Sequence, residues 1–148
     1  MNRIEFYKGH SKNVRITPRK QMILHYMMPY LRPDLKVLDV GCGDGYTANM
    51  MNTFSKVTAF DVLEHVSNRE EALGIIVERA KKYVMINQPD QEDKSQPFDM
   101  AVTPVMLIEW MKEYGFTIIE LRHIKLGPTE SYNFMVFRKD ETYRSSWY

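Results

Sequence analysis

One cysteine, Cys42, stands in 148 residues. That excludes an intramolecular disulfide, and a lone thiol suits a reducing compartment. No apolar run approaches transmembrane length, and the first residues lack the apolar core of a secretory signal. No internal repeat, low-complexity tract or long linker divides the chain. Net charge is also scarce: a formal +1 argues against a protein that coats nucleic acid. These absences lead us to expect a cytoplasmic protein of one domain over 1–148, with a basic arm and helix over 1–32, a core over 33–139 and a tail over 140–148.

What is present is ordinary in amount and uneven in placement. Hydrophobic residues at 44% and charged residues at 26% suit a soluble globular chain with one hydrophobic core. Between Met1 and Tyr30, however, Arg3, Lys8, Lys12, Arg15, Arg19 and Lys20 meet a single acid, Glu5. The cluster reads either as a solvated arm or as a lid that attracts an anionic substrate or a phosphate backbone. Eleven methionines are many, but "QMILHYMMPYL" spaces them as a core-facing helix rather than a soft-metal site.

Punctuation along the chain predicts alternating elements. Thr17-Pro18 starts a helix that runs to about Tyr30. A buried strand follows over Lys36 to Val40, then a glycine turn, a helix from about Tyr46 to Phe54, and a short strand from Val57 to Phe60. In "SNREEALGIIVERAKK", Ser67 or Asn68 caps a helix whose acids come first and lysines last, and Leu73, Ile76, Val77 and Ala80 mark its buried face. "YVMIN" reads as a strand ended by the polar loop "QPDQEDKSQP". Thr103, Pro104 and Gly115 bound another helix, and "FTIIELRHI" and "YNFMVFRK" read as an antiparallel pair joined by "KLGPTES". Strands alternating with helices imply a largely parallel sheet covered on both faces, with its functional groups at the carboxyl ends of the strands.

Two stretches fall at such ends. In "VLDVGCGDG", Asp39 closes a strand and Gly41, Gly43 and Gly45 alternate through the turn, so the backbone can approach a ligand closely. The helix that follows would offer free N–H groups to a carboxylate or phosphate. In "VTAFDVLEHV", a second strand ends in Asp61, followed by Glu64 and His65. Glycines in alternation are weak evidence by themselves; preceded by V-L-D they are far more specific.

"VLDVGCGDG" resembles motif I of the class I S-adenosylmethionine-dependent methyltransferases, and "VTAFDVLEHV" resembles the fourth-strand motif of the branch that carries L-E-H-V. "YVMINQPD" is similar to the fifth strand of that family, and "TPVMLIEWMKEYGFTIIEL" to its later helix and strand. The likeness runs in order from about Leu35 to Phe137. It implies an abbreviated Rossmann-like α/β fold: a mostly parallel sheet of about five strands, an antiparallel C-terminal strand, and helices on both faces. It also implies S-adenosyl-L-methionine as cofactor. Asp39, Gly41 and Gly43 would hold its methionine part, with Cys42 and Asp44 completing the turn; Asp61 would serve the ribose, and Val62 and Leu63 the adenine edge.

About sixteen positions separate Gly45 from Asp61, too few for the strands and helices that the family places between these motifs. Either a segment has been deleted, so that Val57–Phe60 is the fourth-strand equivalent, or those residues are the second strand and L-E-H-V is fortuitous. A deletion would expose the first strand as a sheet edge, which the amino-terminal helix or a second copy of the chain could cover, and a homodimer is expected.

Glu64 and His65 are the candidate catalytic residues. Asp61, Glu64 and His65 have the spacing to share one side of a helix start. In some relatives that pattern binds a divalent metal; in many it caps the helix and packs beside the cofactor, and no metal is expected here. "NQPD" resembles the N-P-P-aromatic loop of amino-methylating DNA enzymes, but it lacks the second proline and the aromatic, so it reads as a turn. His10, His25 and His123 have no partner at metal or triad spacing. The sulfonium supplies its own leaving group, so aligning an acceptor is most of the work. The resemblance therefore implies a methyltransferase acting on a small molecule rather than on nucleic acid or a membrane. Two alternatives stay open: a degenerate binding subunit of the same fold, and a nucleic-acid methyltransferase led by the basic arm.

Overall fold

The computed structural model describes residues 18–30, 38–40, 57–60, 62–90 and 102–142. Its strands are β1 (Leu38–Val40), β2 (Val57–Phe60), β3 (Tyr83–Pro89), β4 (Phe116–Lys125) and β5 (Ser131–Lys139). They form one sheet in the order β1–β2–β3–β5–β4. β1 pairs with β2 and β2 with β3 in parallel, whereas β5 lies antiparallel to both β3 and β4. Four strands therefore run one way and β5 alone is reversed. This is the mostly parallel sheet with an antiparallel C-terminal strand that the sequence predicts.

Helices cover both faces. On one, α2 (Arg69–Arg79) and α3 (Pro104–Glu113) pack Leu73, Ile76, Val77, Leu107 and Met111 against Ala59, Val84, Ile86, Met135 and Phe137. On the other, α1 (Pro18–Met27) packs Ile23 and Met27, four residues apart and so on one helix face, against Met85, Ile124, Phe134 and Val136. β3 is buried on both faces, which is why it reads as an unbroken apolar run rather than an alternating one.

The punctuation works largely as expected. Pro18 opens α1, which continues as a 3-10 turn over Met28–Tyr30. The Thr103 hydroxyl accepts the Met106 N–H at 3.3 Å, and Gly115 ends α3 with a φ of 74°. Leu73, Ile76, Val77 and Ala80 are all buried. Two details differ. Asn68 is the N-cap of α2, and its carbonyl accepts the Ala72 N–H at 3.1 Å, but its side chain caps no helix N–H; its amide donates to Glu71 instead. β3 also continues past Asn87 to Pro89, because β5 pairs with it as far as Pro89↔Tyr132. Pairing with β2 stops at Asn87, so a residue without an N–H is tolerated there.

Candidate active site

The carboxyl ends of β1 and β2 lie side by side, with Val40 in register with Ala59. In a parallel sheet these ends, and the segments leaving them, are where a ligand docks. Asp39 is in β1, its backbone opposite Thr58. Gly41, Cys42, Gly43, Asp44 and Asp61 lie outside the described residues, as do Lys12, Arg15 and the helix expected over Tyr46–Phe54.

After β2 the chain makes a 3-10 turn over Leu63–His65, closed by His65 N–H donating to Val62 O at 3.1 Å and Val66 N–H to Leu63 O at 3.3 Å. Glu64 and His65 therefore sit in a separate turn rather than at a helix start, since α2 begins only at Arg69. Leu63 is fully buried in the core beside Ala59, which leaves Val62, half-buried, as the one of the pair with accessible surface. Glu64 is only 4% exposed. Its Oε1 lies 3.8 Å from Nε2 of the half-buried His65, and Arg69 Nη2 donates to its backbone carbonyl at 3.5 Å.

Residues that the sequence did not single out complete the site. Arg19, one of six basic residues in its segment, is carried by the first turn of α1 over the carboxyl end of the sheet. There its guanidinium stacks 4.1 Å above the Tyr132 ring. Burial pushes the Arg19 guanidinium below its ordinary value, while Tyr132, Glu64 and Glu130 pull it back. Burial likewise raises the Tyr132 hydroxyl against the opposing pull of Arg19, and its bond to Glu130 Oε1, at 3.0 Å, adds to the rise. α1 and the start of β5 thus meet at Arg19 and Tyr132, with the charge of Glu64 acting on both. Pro18 was the only signal available: it fixes where α1 begins, and with it the height of Arg19.

At the end of β3, Asn87 and Gln88 are fully buried, and neither amide atom of Gln88 has a hydrogen-bond partner. A buried polar atom left so costs about 1–3 kcal/mol, which makes this end of the strand poor hydrophobic core and suited to a polar ligand. Asp90, read as a turn residue, accepts from Asn133 Nδ2 at 3.0 Å and Ser131 Oγ at 3.2 Å. With its Nδ2 so engaged, Asn133 turns Oδ1 toward His123 Nδ1 at 3.3 Å. The network assigns the proton to Nδ1 and leaves Nε2 as the acceptor in the neutral ring. Among the described residues no group of three or more His, Cys, Asp and Glu side chains is arranged to hold a metal ion, and no helix is long and apolar enough to cross a membrane.

No curated protein matches the sequence. Solved structures share its fold. An N-methyltransferase, NodS, from Bradyrhizobium japonicum in complex with S-adenosylhomocysteine superposes with a TM-score of 0.68 at 10% identity, over 93% of this chain and 98% of that one. A 1,6-didemethyltoxoflavin-N1-methyltransferase from Burkholderia thailandensis gives 0.65 at 14% identity, over 93% and 85%. The magnesium protoporphyrin IX methyltransferase of Synechocystis gives 0.63 at 11%, over 95% and 89%. The methyltransferase domain family matches residues 15–103, more than half of the 148. The chain belongs to that family, and its fold is that of the class I S-adenosylmethionine-dependent methyltransferases.

Proposed function

We propose that this is one methyltransferase-like domain that transfers a methyl group from S-adenosylmethionine to a small-molecule acceptor. The observation that carries the reading is the parallel adjacency of β1 and β2: the carboxyl end of β1, which the glycine-rich sequence follows, lies beside that of β2, which leads toward the Val62–His65 turn. The residues fit the cofactor. The sequence after β1 is rich in glycine, Val62 keeps accessible surface, and the buried polar residues Glu64, Asn87 and Gln88 lie in the turn after β2 and toward the end of β3. The bound cofactor would supply an electrophilic methyl on a sulfonium leaving group. The chain then has to bind and orient: Asp39 with Gly41, Cys42, Gly43 and Asp44 around the methionine portion, Asp61 at the ribose, Val62 at the adenine edge with the buried Leu63 behind it, and Glu64 with His65 toward the acceptor. Solved relatives bearing S-adenosylhomocysteine, two of them named for small-molecule acceptors, support both the cofactor and the acceptor class.

The strand order also bears on the missing segment. In a doubly wound sheet ordered 3-2-1-4-5, the second strand flanks the first on the side away from the fourth. β2 lies between β1 and β3 and parallel to both, which is the fourth strand's position. This supports reading Val57–Phe60 as the fourth-strand equivalent, with the intervening elements deleted. Among the described residues β1 has no strand on its far side, which supports a homodimer that covers it. A cytoplasmic location accords with the lone cysteine.

Titration calorimetry with S-adenosylhomocysteine tests the reading. Binding in the micromolar range is expected, and absence of heat at millimolar ligand would leave a degenerate module of this fold as the better account.

A further inference from the structure

We propose that the end of β3 holds a subsite for a neutral lactam or carboxamide edge, a hydrogen-bond donor beside an acceptor, and that Gln88 reads this edge on the methyl acceptor. Only the naming of the acceptor as the molecule that carries the edge rests on the methyltransferase reading.

Strand register builds the subsite. On the face that α2 and α3 cover, Val84, Phe137 and Ile118 form one cross-strand row, and Ile86, Met135 and Leu121 form the next. Both rows are apolar. Two residues further along β3 the row is Gln88, Asn133 and His123, on the same face and polar throughout. Exposure rises along it, from 0% at Gln88 through 6% at Asn133 to the exposed His123, so its outer end meets solvent. Asn133 is engaged on both sides: Nδ2 donates to Asp90 Oδ1 at 3.0 Å, and Oδ1 meets His123 Nδ1 at 3.3 Å. Ser131 Oγ takes the other Asp90 oxygen at 3.2 Å. Gln88, in register with Asn133, is left out, and neither its Nε2 nor its Oε1 has a hydrogen-bond partner.

The unmet amide selects the ligand. Satisfying both of its ends with one group takes a donor opposite Oε1 and, beside it, an acceptor opposite Nε2. A hydroxyl has a single oxygen and meets one end only. A carboxylate has no donor for Oε1, and an ion without a countercharge is costly at a fully buried position. A neutral lactam or carboxamide meets both ends through two parallel bonds. Adenine carries such a pair as well, so the cofactor is the rival source. The edge is assigned to the acceptor because the segments read as cofactor-binding follow β1 and β2, whereas Gln88 is on β3, on the side of β2 away from β1.

Pyrrolidinone, a lactam, and N-methylpyrrolidinone, the same ring without its N–H, are the probes. In magnetic-resonance titrations of the isotope-labelled wild-type chain, pyrrolidinone should shift the Gln88 side-chain amide signals saturably in the millimolar range. N-methylpyrrolidinone should bind about tenfold more weakly, because it leaves Oε1 unpaired. Saturating S-adenosylhomocysteine should leave the pyrrolidinone shifts in place; their loss would give the edge to adenine and overturn the assignment to the acceptor. Gln88→Met keeps the length of the side chain without the amide. It should abolish the preference between the probes and raise the melting temperature by about 2–4 °C, since the unmet hydrogen bonds go with the amide. No shift with either probe, equal binding of both, or a lower melting temperature in Gln88→Met overturns the proposal, the last because bound water alone would then satisfy the amide. The wild-type titrations decide the matter if the variant does not fold. Absence of S-adenosylhomocysteine binding in calorimetry sinks the methyltransferase reading and the naming of the acceptor with it, while the lactam titrations still decide whether the subsite exists.

Discussion

The two ends of the sheet are built differently. At one, β3, β5 and β4 run for seven, nine and ten residues and pair along nearly their whole length. At the other, β1 and β2 pair in parallel, over three and four described residues. The long end includes a hairpin of consecutive strands, whose turn alone brings its partners together. In β5, Phe134 and Val136 face α1 while Met135 and Phe137 face α2 and α3, so one strand anchors both cores. Buried polar groups gather near the carboxyl ends of β2 and β3, Glu64 in the turn after the one and Asn87 within the other. The difference teaches that the antiparallel strands supply most of the sheet's buried apolar residues among those described, while the polar groups gather where the carboxyl ends of β2 and β3 meet the start of β5.

The most direct way to break this comparison is to damage the anchor. Phe137 is fully buried in the larger core. Phe137→Ala should cost about 3–5 kcal/mol through lost transfer energy and the cavity left behind. Urea denaturation would measure it. A loss below about 1 kcal/mol would mean that β5 is not what holds the sheet.

A second change probes the seam between the ends. α2 covers β2, α3 covers β4, and the two helices meet where Tyr114 lies over Gly74. A Cβ at position 74 would come 2.8 Å from the Tyr114 Oη and 3.3 Å from its Cζ. The same hydroxyl donates to the Glu70 carbonyl at 3.4 Å, which ties the ring to α2. Gly74→Ala gains about 1 kcal/mol of helix propensity and loses about 1–3 kcal/mol to overpacking, so a net loss of about 1 kcal/mol is expected. In a Tyr114→Phe background the obstructing oxygen is gone, and the same substitution should instead stabilise by up to about 1 kcal/mol. The change of sign in a double-mutant cycle is the measurement. If the sign does not change, the ends do not meet through this contact.

How much of this was legible in the sequence follows the same division. Local chemistry declares itself locally: Thr103, Pro104 and Gly115 bound α3, and the spacing of Leu73, Ile76, Val77 and Ala80 gives the buried face of α2. Strand alternation with helices gave the sheet, and the motif order gave the family. What escaped depends on contacts between residues distant in the chain. Gln88 and Pro89 look like a turn but are held in a strand by β5, some forty-five positions later. Arg19 and Tyr132 are more than one hundred residues apart, and nothing near either one signals that they stack. Asp90, His123 and Asn133 have no motif spacing because they come from three separate strands or strand ends.

The smallest effect concerns the helix that links both ends. α1 places Arg19 at the site, and the turn that follows it is braced on β4, where the Tyr30 hydroxyl donates to Glu120 and Arg122 bonds the same carboxylate while stacking 4.9 Å above the Tyr26 ring. Burial first, and then Glu120, push the Tyr30 hydroxyl up to about 12. Burial alone would raise the Glu120 carboxyl, but the hydrogen bonds from Tyr30 and Arg122 outweigh it, and the net shift is downward. The signs set the window. Tyr30, raised above its ordinary 10.0, contributes fully below pH 10 and loses that contribution as the pH climbs toward about 12. Glu120, lowered below 4.5, contributes above that pH and loses its contribution as the pH falls further. Tyr30→Phe should therefore cost up to about 1 kcal/mol, nearly constant from about pH 5 to 10 and vanishing toward pH 12, as read from urea midpoints. A difference that persists at pH 12 would show that Tyr30 is not the donor in this brace. If the substitution also weakened S-adenosylhomocysteine binding, the brace at the edge of the long end would be setting the height of Arg19 at the short one. Unchanged affinity would make scaffold and site independent.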